Sequence, residues 1–325
     1  MNGHRRGQLY RLHACLGLIA ALPLLVIAVS GIILGFHDKL RYASAPYRLS
    51  GPVAHPLEPA TLADAARAAL PGGRLEVLYL PTAPERAARA VMAGEKRLIL
   101  FLHPATGRVL AVRDAERKDR LEFLRALHHG KALGVAGEIA AGAAALLLPL
   151  LWLTGRPFRR GGLYKSGIHA GLGRITGGAL IFLAVTGGIL TFAKPLRDHF
   201  YPPPRSVTVF KATDLSRAVE IGAGIYGLAP LDRIVFPARA DLPLLFRFRD
   251  GGRVWLDAAR GEALRVETPF APWLNVLYPL HSGRILGRSG PPLVAALGVA
   301  LLLLTARVVR LRHERAPAGR RRGSR

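Results

Sequence analysis

The apolar stretch that opens at His13, HACLGLIAALPLLVIAVSGIILGF, recurs 156 residues later as HAGLGRITGGALIFLAVTGGILTF, opening at His169. A second pair repeats at an offset of 153: LHHGKALGVAG from Leu127 and LHSGRILGRSG from Leu280. The chain therefore reads as two copies of one unit, membrane helix, intervening segment, membrane helix. A histidine stands near the start of each of the four apolar stretches. Any fold must bring four such helices together and account for four histidines at equivalent places.

Half the residues are hydrophobic, yet the formal net charge is +25, so apolar and basic residues are segregated along the chain. Four windows, roughly 14–36, 132–154, 170–193 and 291–309, approach the ~20 apolar residues needed to cross a ~30 Å hydrocarbon core. The fourth is the shortest, lying between Pro291-Pro292 and Arg307. Short basic segments holding Arg5, Arg6 and Arg11, then Arg156, Arg159, Arg160 and Lys165, then the tail RLRHERAPAGRRRGSR, all fall on one side of the spans. Basic loops mark the cytoplasmic side, so both termini are expected there. The long segments 37–130 and 194–289 are then expected outside, in the periplasm of a bacterium.

The first span could instead be a cleaved signal peptide ending near Ala43-Ser44-Ala45. Its apolar region is longer than the usual one, and span three duplicates it in mid-chain, so a retained anchor is expected. The basic tail fits anionic membrane lipid beside a span, and no nucleic-acid partner is expected. The single cysteine, Cys15, excludes an internal disulfide, a thiolate cluster and covalently attached haem.

The external segments also resemble each other. LEPATLADAARAAL predicts a helix, LEVLYLP and ARAVMAG predict strands, and KRLILFLHPATGRVLAVRD predicts a hairpin turning at Pro104 to Gly107. TDLSRAVEIGAGIYG, LDRIVFP, LPLLFRFRDG and GRVWLDAARGEALRVE predict the same order again. Each would form a small antiparallel sheet with one covering helix, marginal alone and expected to dock on its twin or on the helix ends. His55, His103 and Asp257 read as solvated or turn residues. Arg239, Arg247, Arg249 and Arg253 offer a basic surface to an acidic or anionic partner.

Coordinating side chains in membrane spans are expensive and point to function. Spans one and three run outward and place His13 and His169 together near the cytoplasmic face. Spans two and four run inward and place His128 and His281 together near the outer face, with His129 as an alternative to His128. Two imidazoles facing each other across a bundle axis are the axial ligands that a six-coordinate haem b needs. Zinc would want three or four ligands, and each level offers two. Gly17 and Gly173 lie one turn after their histidines, where a missing side chain admits a flat macrocycle. Gly31 and Gly187 lie eighteen residues after them, five turns and ~27 Å of rise, at the level of the outer pair. Close helix packing of small residues is the competing explanation for these glycines. Lys131 and Arg284 follow the outer histidines by three residues and could pair with haem propionates or snorkel to the interface. Arg174 has no basic counterpart at Leu18, and His37 and His199 have no repeat partners.

RLHACLG, LHHGKALG, SGIHAGLG, LHSGRILG and the span-ending pairs Ser30-Gly31, Thr154-Gly155 and Thr186-Gly187 together resemble the PepSY-associated transmembrane helix family, which includes inner-membrane ferrisiderophore reductases. Two departures stand out: Ser30 occupies a threonine position, and Thr305-Ala306 replaces the final Thr-Gly. The resemblance covers nearly the whole chain. It implies a haem-bearing reductase that passes electrons across the inner membrane to ferric siderophores, with His13, His128, His169 and His281 as ligands.

The expected architecture is an α-helical membrane protein: a four-helix transmembrane bundle from two tandem repeats with two small periplasmic α+β, PepSY-like modules. The expected segments are spans 12–36, 128–155, 168–194 and 281–310, modules 37–127 and 195–280, a cytoplasmic loop 156–167 and a tail 311–325. Two haems b per chain are expected to take electrons from a cytoplasmic or quinol donor and deliver them to a periplasmic acceptor, a ferric siderophore first. The rival readings are a haem-free PepSY-type binding or regulatory protein and an electron-transfer subunit of another periplasmic enzyme.

Overall fold

A computed structural model describes residues 3–43, 46–117, 119–156, 167–205, 215–227, 229–239, 242–257 and 259–315. Arg159, Arg160, Lys165, Ser44, Ala45 and the tail from residue 316 lie outside the described residues.

Along the chain the elements are α1 (Gly3–Gly35), α2 (His37–Arg41), α3 (Pro59–Ala69), β1 (Arg74–Tyr79), β2 (Ala88–Ala93), β3 (Arg97–Leu102), β4 (Val109–Asp114), α4 (Arg120–His128), α5 (Gly134–Gly155), α6 (Gly167–Thr191), α7 (Ala193–Phe200), α8 (Leu215–Tyr226), β5 (Leu231–Val235), β6 (Leu244–Phe248), β7 (Arg253–Asp257), β8 (Glu262–Glu267), α9 (Leu274–His281) and α10 (Gly290–Arg315). Turns of 3-10 helix at Lys131–Leu133 and Arg284–Ser289 precede α5 and α10. The chain divides into a helical unit, residues 1–37, 120–194 and 277–325, and a sheet unit, residues 38–119 and 195–276.

Four segments of the described chain are long and apolar enough to cross a membrane: Gly7–Gly35, Lys131–Gly155, Gly167–Thr191 and Leu274–Ala306. Their outward faces stay apolar where water would demand polarity, with Leu22 70%, Leu146 75% and Ile175 69% exposed. Surfaces of that kind match hydrocarbon rather than water. The chain is a helical membrane protein that also carries a sheet.

In the helical unit α1 packs on α5 and α10, and α6 packs on the same two helices. That makes a ring of four, with α1 diagonal to α6 and α5 diagonal to α10. Its interior is closed by Ala20, Leu24, Ala28, Ala144, Leu180 and Leu301. Small residues let the backbones approach: a Cβ on Gly298 would lie 2.7 Å from Ile32 Cγ1.

Pro291 and Pro292 sit in the first turn of α10, where the absent N–H breaks no helical bond, and the helix continues past Arg307. The fourth long helix thus outruns its apolar window, whose candidate span ends at Ala306.

In the sheet unit eight antiparallel strands form one sheet in the order β4-β3-β2-β1-β5-β6-β7-β8. The strands fall where alternation predicts them, but the two expected modules are one structure. β1 joins β5 through Val77↔Val235, Leu78↔Ile234 and Tyr79↔Arg233. A free-standing four-stranded module would leave β1 or β5 as an open edge and have a small core, and fusion pairs those two edges and enlarges the core. Helices α3 and α8 cover one face, burying Leu62, Ala63, Ala66, Leu215 and Ala218 against Leu78, Met92, Leu100, Ile234, Phe246 and Leu256. Asp257 ends β7 and accepts the Arg260 N–H, and His103 Nδ1 accepts the Ala105 N–H, both as turn residues. His55 is exposed.

Candidate functional site

The four repeat-equivalent histidines meet in two pairs inside the helical unit. His13 on α1 faces His169 on α6, the diagonal partner, with ring centres 6.2 Å apart and planes at 78°. His128 and His281 face each other with ring centres 6.1 Å apart and planes at 58°. His129 stacks edge-on against His128 at 5.7 Å, so His128 is the ring that faces His281.

The outer pair is not mounted as a helix-start pattern suggests. His128 and His281 are the last residues of the short helices α4 and α9. Each chain then turns at a glycine in the left-handed region, Gly130 at φ 77° and Gly283 at φ 76°, before the 3-10 turn and the long helix. An added Cβ at either glycine would strike the backbone of Gly137 or Gly290. The shared spacing in LHHGKALGVAG and LHSGRILGRSG therefore encodes a tight turn that presents a histidine. His13 lies well inside α1 and His169 in the first turn of α6.

Hydrogen bonds hold the rings of His128, His281 and His13. His128 Nδ1 is 3.0 Å from the Ile27 carbonyl and 3.2 Å from Ser30 Oγ. His281 Nδ1 is 3.0 Å from the Leu183 carbonyl and 3.2 Å from Thr186 Oγ1. A carbonyl only accepts, so each Nδ1 carries the proton, and each Nε2 keeps its lone pair. At the inner level His13 Nδ1 is 3.0 Å from Thr154 Oγ1. That hydroxyl donates to the Leu150 carbonyl at 2.7 Å, so it accepts from the ring. Ser30, Thr154 and Thr186, near the ends of spans one, two and three, are thus holders of histidines. The sequence marks these residues as a recurring pair with glycine without disclosing that role.

Gly31 and Gly187 face the outer level, as their phase predicts, but they abut imidazoles. A Cβ would lie 2.9 Å from His128 Cε1 at Gly31, and 2.7 Å from His281 Cε1 at Gly187. Their missing side chains give the two rings room to lie against α1 and α6.

A family model described as the PepSY-associated TM region matches residues 10–163 and again residues 166–325. The chain belongs to the PepSY-associated TM family. Compared with curated proteins it finds no match. Each matched region of this PepSY-associated TM protein holds one histidine of each pair, His13 and His128 in the first and His169 and His281 in the second.

The donor set of this family member fits bis-imidazole haem. An imidazole nitrogen bonds a metal at about 2.0–2.1 Å, and roughly 1.1 Å more reaches the ring centre, so two rings on opposite sides of one iron are centred about 6.3 Å apart. Both pairs have that separation, and the Nδ1 bonds of His128 and His281 leave Nε2 as the nitrogen that could bind a metal. No group of three or more His, Cys, Asp or Glu at metal spacing occurs among the described residues, which disfavours a zinc centre. Gly17 is buried on α1, and a Cβ on Gly173 would meet only Leu304 Cδ2 at an ordinary 3.8 Å. Lys131 and Arg284 are exposed, with the Arg284 guanidinium 5.4 Å from the Tyr278 ring. His37 accepts from Arg125 at 2.9 Å, and the His199 ring meets Phe200 edge-on.

Proposed function

We propose that this chain is a di-haem b oxidoreductase of the bacterial inner membrane, passing electrons outward to a periplasmic acceptor, with ferric siderophores as the acceptor class. The observation that carries the reading is the pair of diagonal histidine couples with ring centres 6.2 Å and 6.1 Å apart. Haem supplies reversible one-electron chemistry when bound. The chain's part is to hold and insulate. His13 and His169 would ligate the inner haem, His128 and His281 the outer one. Ser30, Thr154 and Thr186 hold ring orientation, so ligand geometry changes little on a change of charge. Eighteen residues of α1 separate His13 from Gly31, so the two levels stand ~27 Å apart with apolar packing between them. Duplication gives both levels the same chemistry. The basic segments Arg5, Arg6, Arg11 and Arg156 support a cytoplasmic side for both termini, where a cytoplasmic or quinol donor would meet the inner level.

Purification after expression with ample haem tests this. The expected result is a Soret band with two haems per chain, and loss of one haem in each double variant, His13→Ala/His169→Ala and His128→Ala/His281→Ala. Reduced protein should be reoxidised by a ferric siderophore. A colourless protein favours a binding or regulatory role. Two haems with no reoxidation favours service to a separate periplasmic enzyme.

A further inference from the structure

The face of the sheet opposite α3 and α8 carries charge in an unusual arrangement. Register places Arg89, Tyr79, Arg233, Arg247, Arg253 and Glu267 side by side on six consecutive strands. Arg233 is directly opposite Arg247, and Arg247 directly opposite Arg253. Like charges in those positions repel. Arg265 on β8 and Arg197 on α7 join the group through Glu267, which is 3% exposed. That one carboxylate serves Arg197 at 3.1 Å, Arg253 at 3.6 Å and Arg265 at 3.7 Å, while Asp232 pairs with Arg233 at 2.6 Å. Arg247 makes no ion pair among the described residues. Among the described residues six guanidiniums, with that of Arg89 lying over the Tyr79 ring, thus share two carboxylates, leaving four positive charges in excess.

Several donors of this group are also unmet. Arg253 Nε and Trp255 Nε1 are buried without a hydrogen-bond partner, and Arg265 Nη1 has only its 3.7 Å ion pair with Glu267; Trp255 shares the face of Arg253 and lies opposite Arg265. Burial, then the guanidiniums of Arg247 and Arg197, pushes Arg253 down to about 10, still charged at neutral pH. Buried N–H groups and like charges of this kind are unfavourable unless something answers them. The side chains stay reachable, with Arg197 20%, Arg233 29%, Arg253 15% and Arg265 30% exposed.

We propose that this arginine row is a binding site for a small polycarboxylate. Arg233 and Arg253 lie two strand spacings apart, about 9–10 Å. A single phosphate or acetate cannot span that, whereas two or three carboxylates on one short skeleton can, each taking a guanidinium in two-point fashion. The inference stands on the sheet unit alone and holds whether or not the helical unit binds haem. Of the four basic residues singled out from the sequence, Arg247 and Arg253 belong to the row. Arg249 lies apart from it, donating to the Pro81 and Thr82 carbonyls.

Calorimetric titration of the full chain in neutral detergent with citrate, tricarballylate, inorganic phosphate and acetate tests the site. Citrate should saturate it with one molecule per chain, with affinity falling as salt rises. Phosphate and acetate should bind at least about tenfold more weakly. Arg247→Gln should weaken citrate at least about tenfold, Arg247→Lys by less, and Arg249→Gln not at all. Ligand-free Arg247→Gln should melt no lower than the parent, because it removes repulsion, whereas loss of a purely structural residue would lower the melting point. No saturable heat with either tricarboxylate overturns the proposal. So does equal binding of phosphate, or binding confined to phosphatidylglycerol vesicles, which would make the face a lipid contact.

Discussion

Replacing Gly187 by alanine puts a methyl group where the His281 imidazole lies. The new Cβ would be 2.7 Å from Cε1 and 3.2 Å from Nδ1. Carbon atoms pack at about 3.5–4.0 Å, so the ring must retreat by roughly 0.8 Å or more. It cannot do so freely, because Nδ1 is tied to Leu183 O at 3.0 Å and Thr186 Oγ1 at 3.2 Å, and that retreat carries both beyond hydrogen-bonding range. Stranding a buried N–H costs about 1–3 kcal/mol, and overpacking costs a similar amount if the ring stays. We expect about 2–3 kcal/mol to be lost from the outer site, roughly 30–150-fold in cofactor affinity. Gly188 is the matched control, since a Cβ there meets nothing within 4 Å. Haem content per chain, read by pyridine haemochrome after dialysis against apomyoglobin, should fall from two towards one in Gly187→Ala and stay at two in Gly188→Ala. Two retained haems with equal melting points in both variants would refute the reasoning.

Thr154→Val removes the acceptor of His13 Nδ1 and should weaken the inner haem by about tenfold, or shift its midpoint alone in a redox titration that resolves both haems. Glu267→Ala strands three guanidiniums around a buried position and should cost the sheet unit about 3–5 kcal/mol, seen as a lowered melting point without loss of haem. Leu78→Ala empties a fully buried place on β1 and should cost about 2–5 kcal/mol in the same assay. Tyr226→Phe deletes the bond to Asp250 at 2.6 Å and should cost about 1–2 kcal/mol.

Much of the chain was legible because period and phase are local. Four apolar runs mark the spans, and alternation marks the strands to within a residue or two, as at Ala88–Ala93 and Leu244–Phe248. The phase of Gly31 and Gly187 against His13 and His169 puts them at the level where His128 and His281 lie. What they touch there was not legible, because imidazole and macrocycle both require a missing side chain. The breaks at Gly130 and Gly283 also escaped, since apolar periodicity runs through them. The pairing of β1 with β5 is a contact between residues some 150 apart, and alternation carries no information about partners. The arginine row depends on that same register: Arg233, Arg247 and Arg253 lie on three strands, and only pairing aligns them.

That β1–β5 seam also sets a schedule. Tyr79 pairs with Arg233, 154 residues later in the chain. At about 5–20 residues per second of synthesis, roughly 8–30 s pass between the emergence of the two strands. Throughout that interval β1 presents an unfilled edge, and any β5 that arrives will fit it, including one from a neighbouring nascent chain. Exchange of second halves between two molecules would satisfy every strand and every histidine couple. Crowded synthesis should therefore yield strand-exchanged dimers, and a slow second half is the period in which they form.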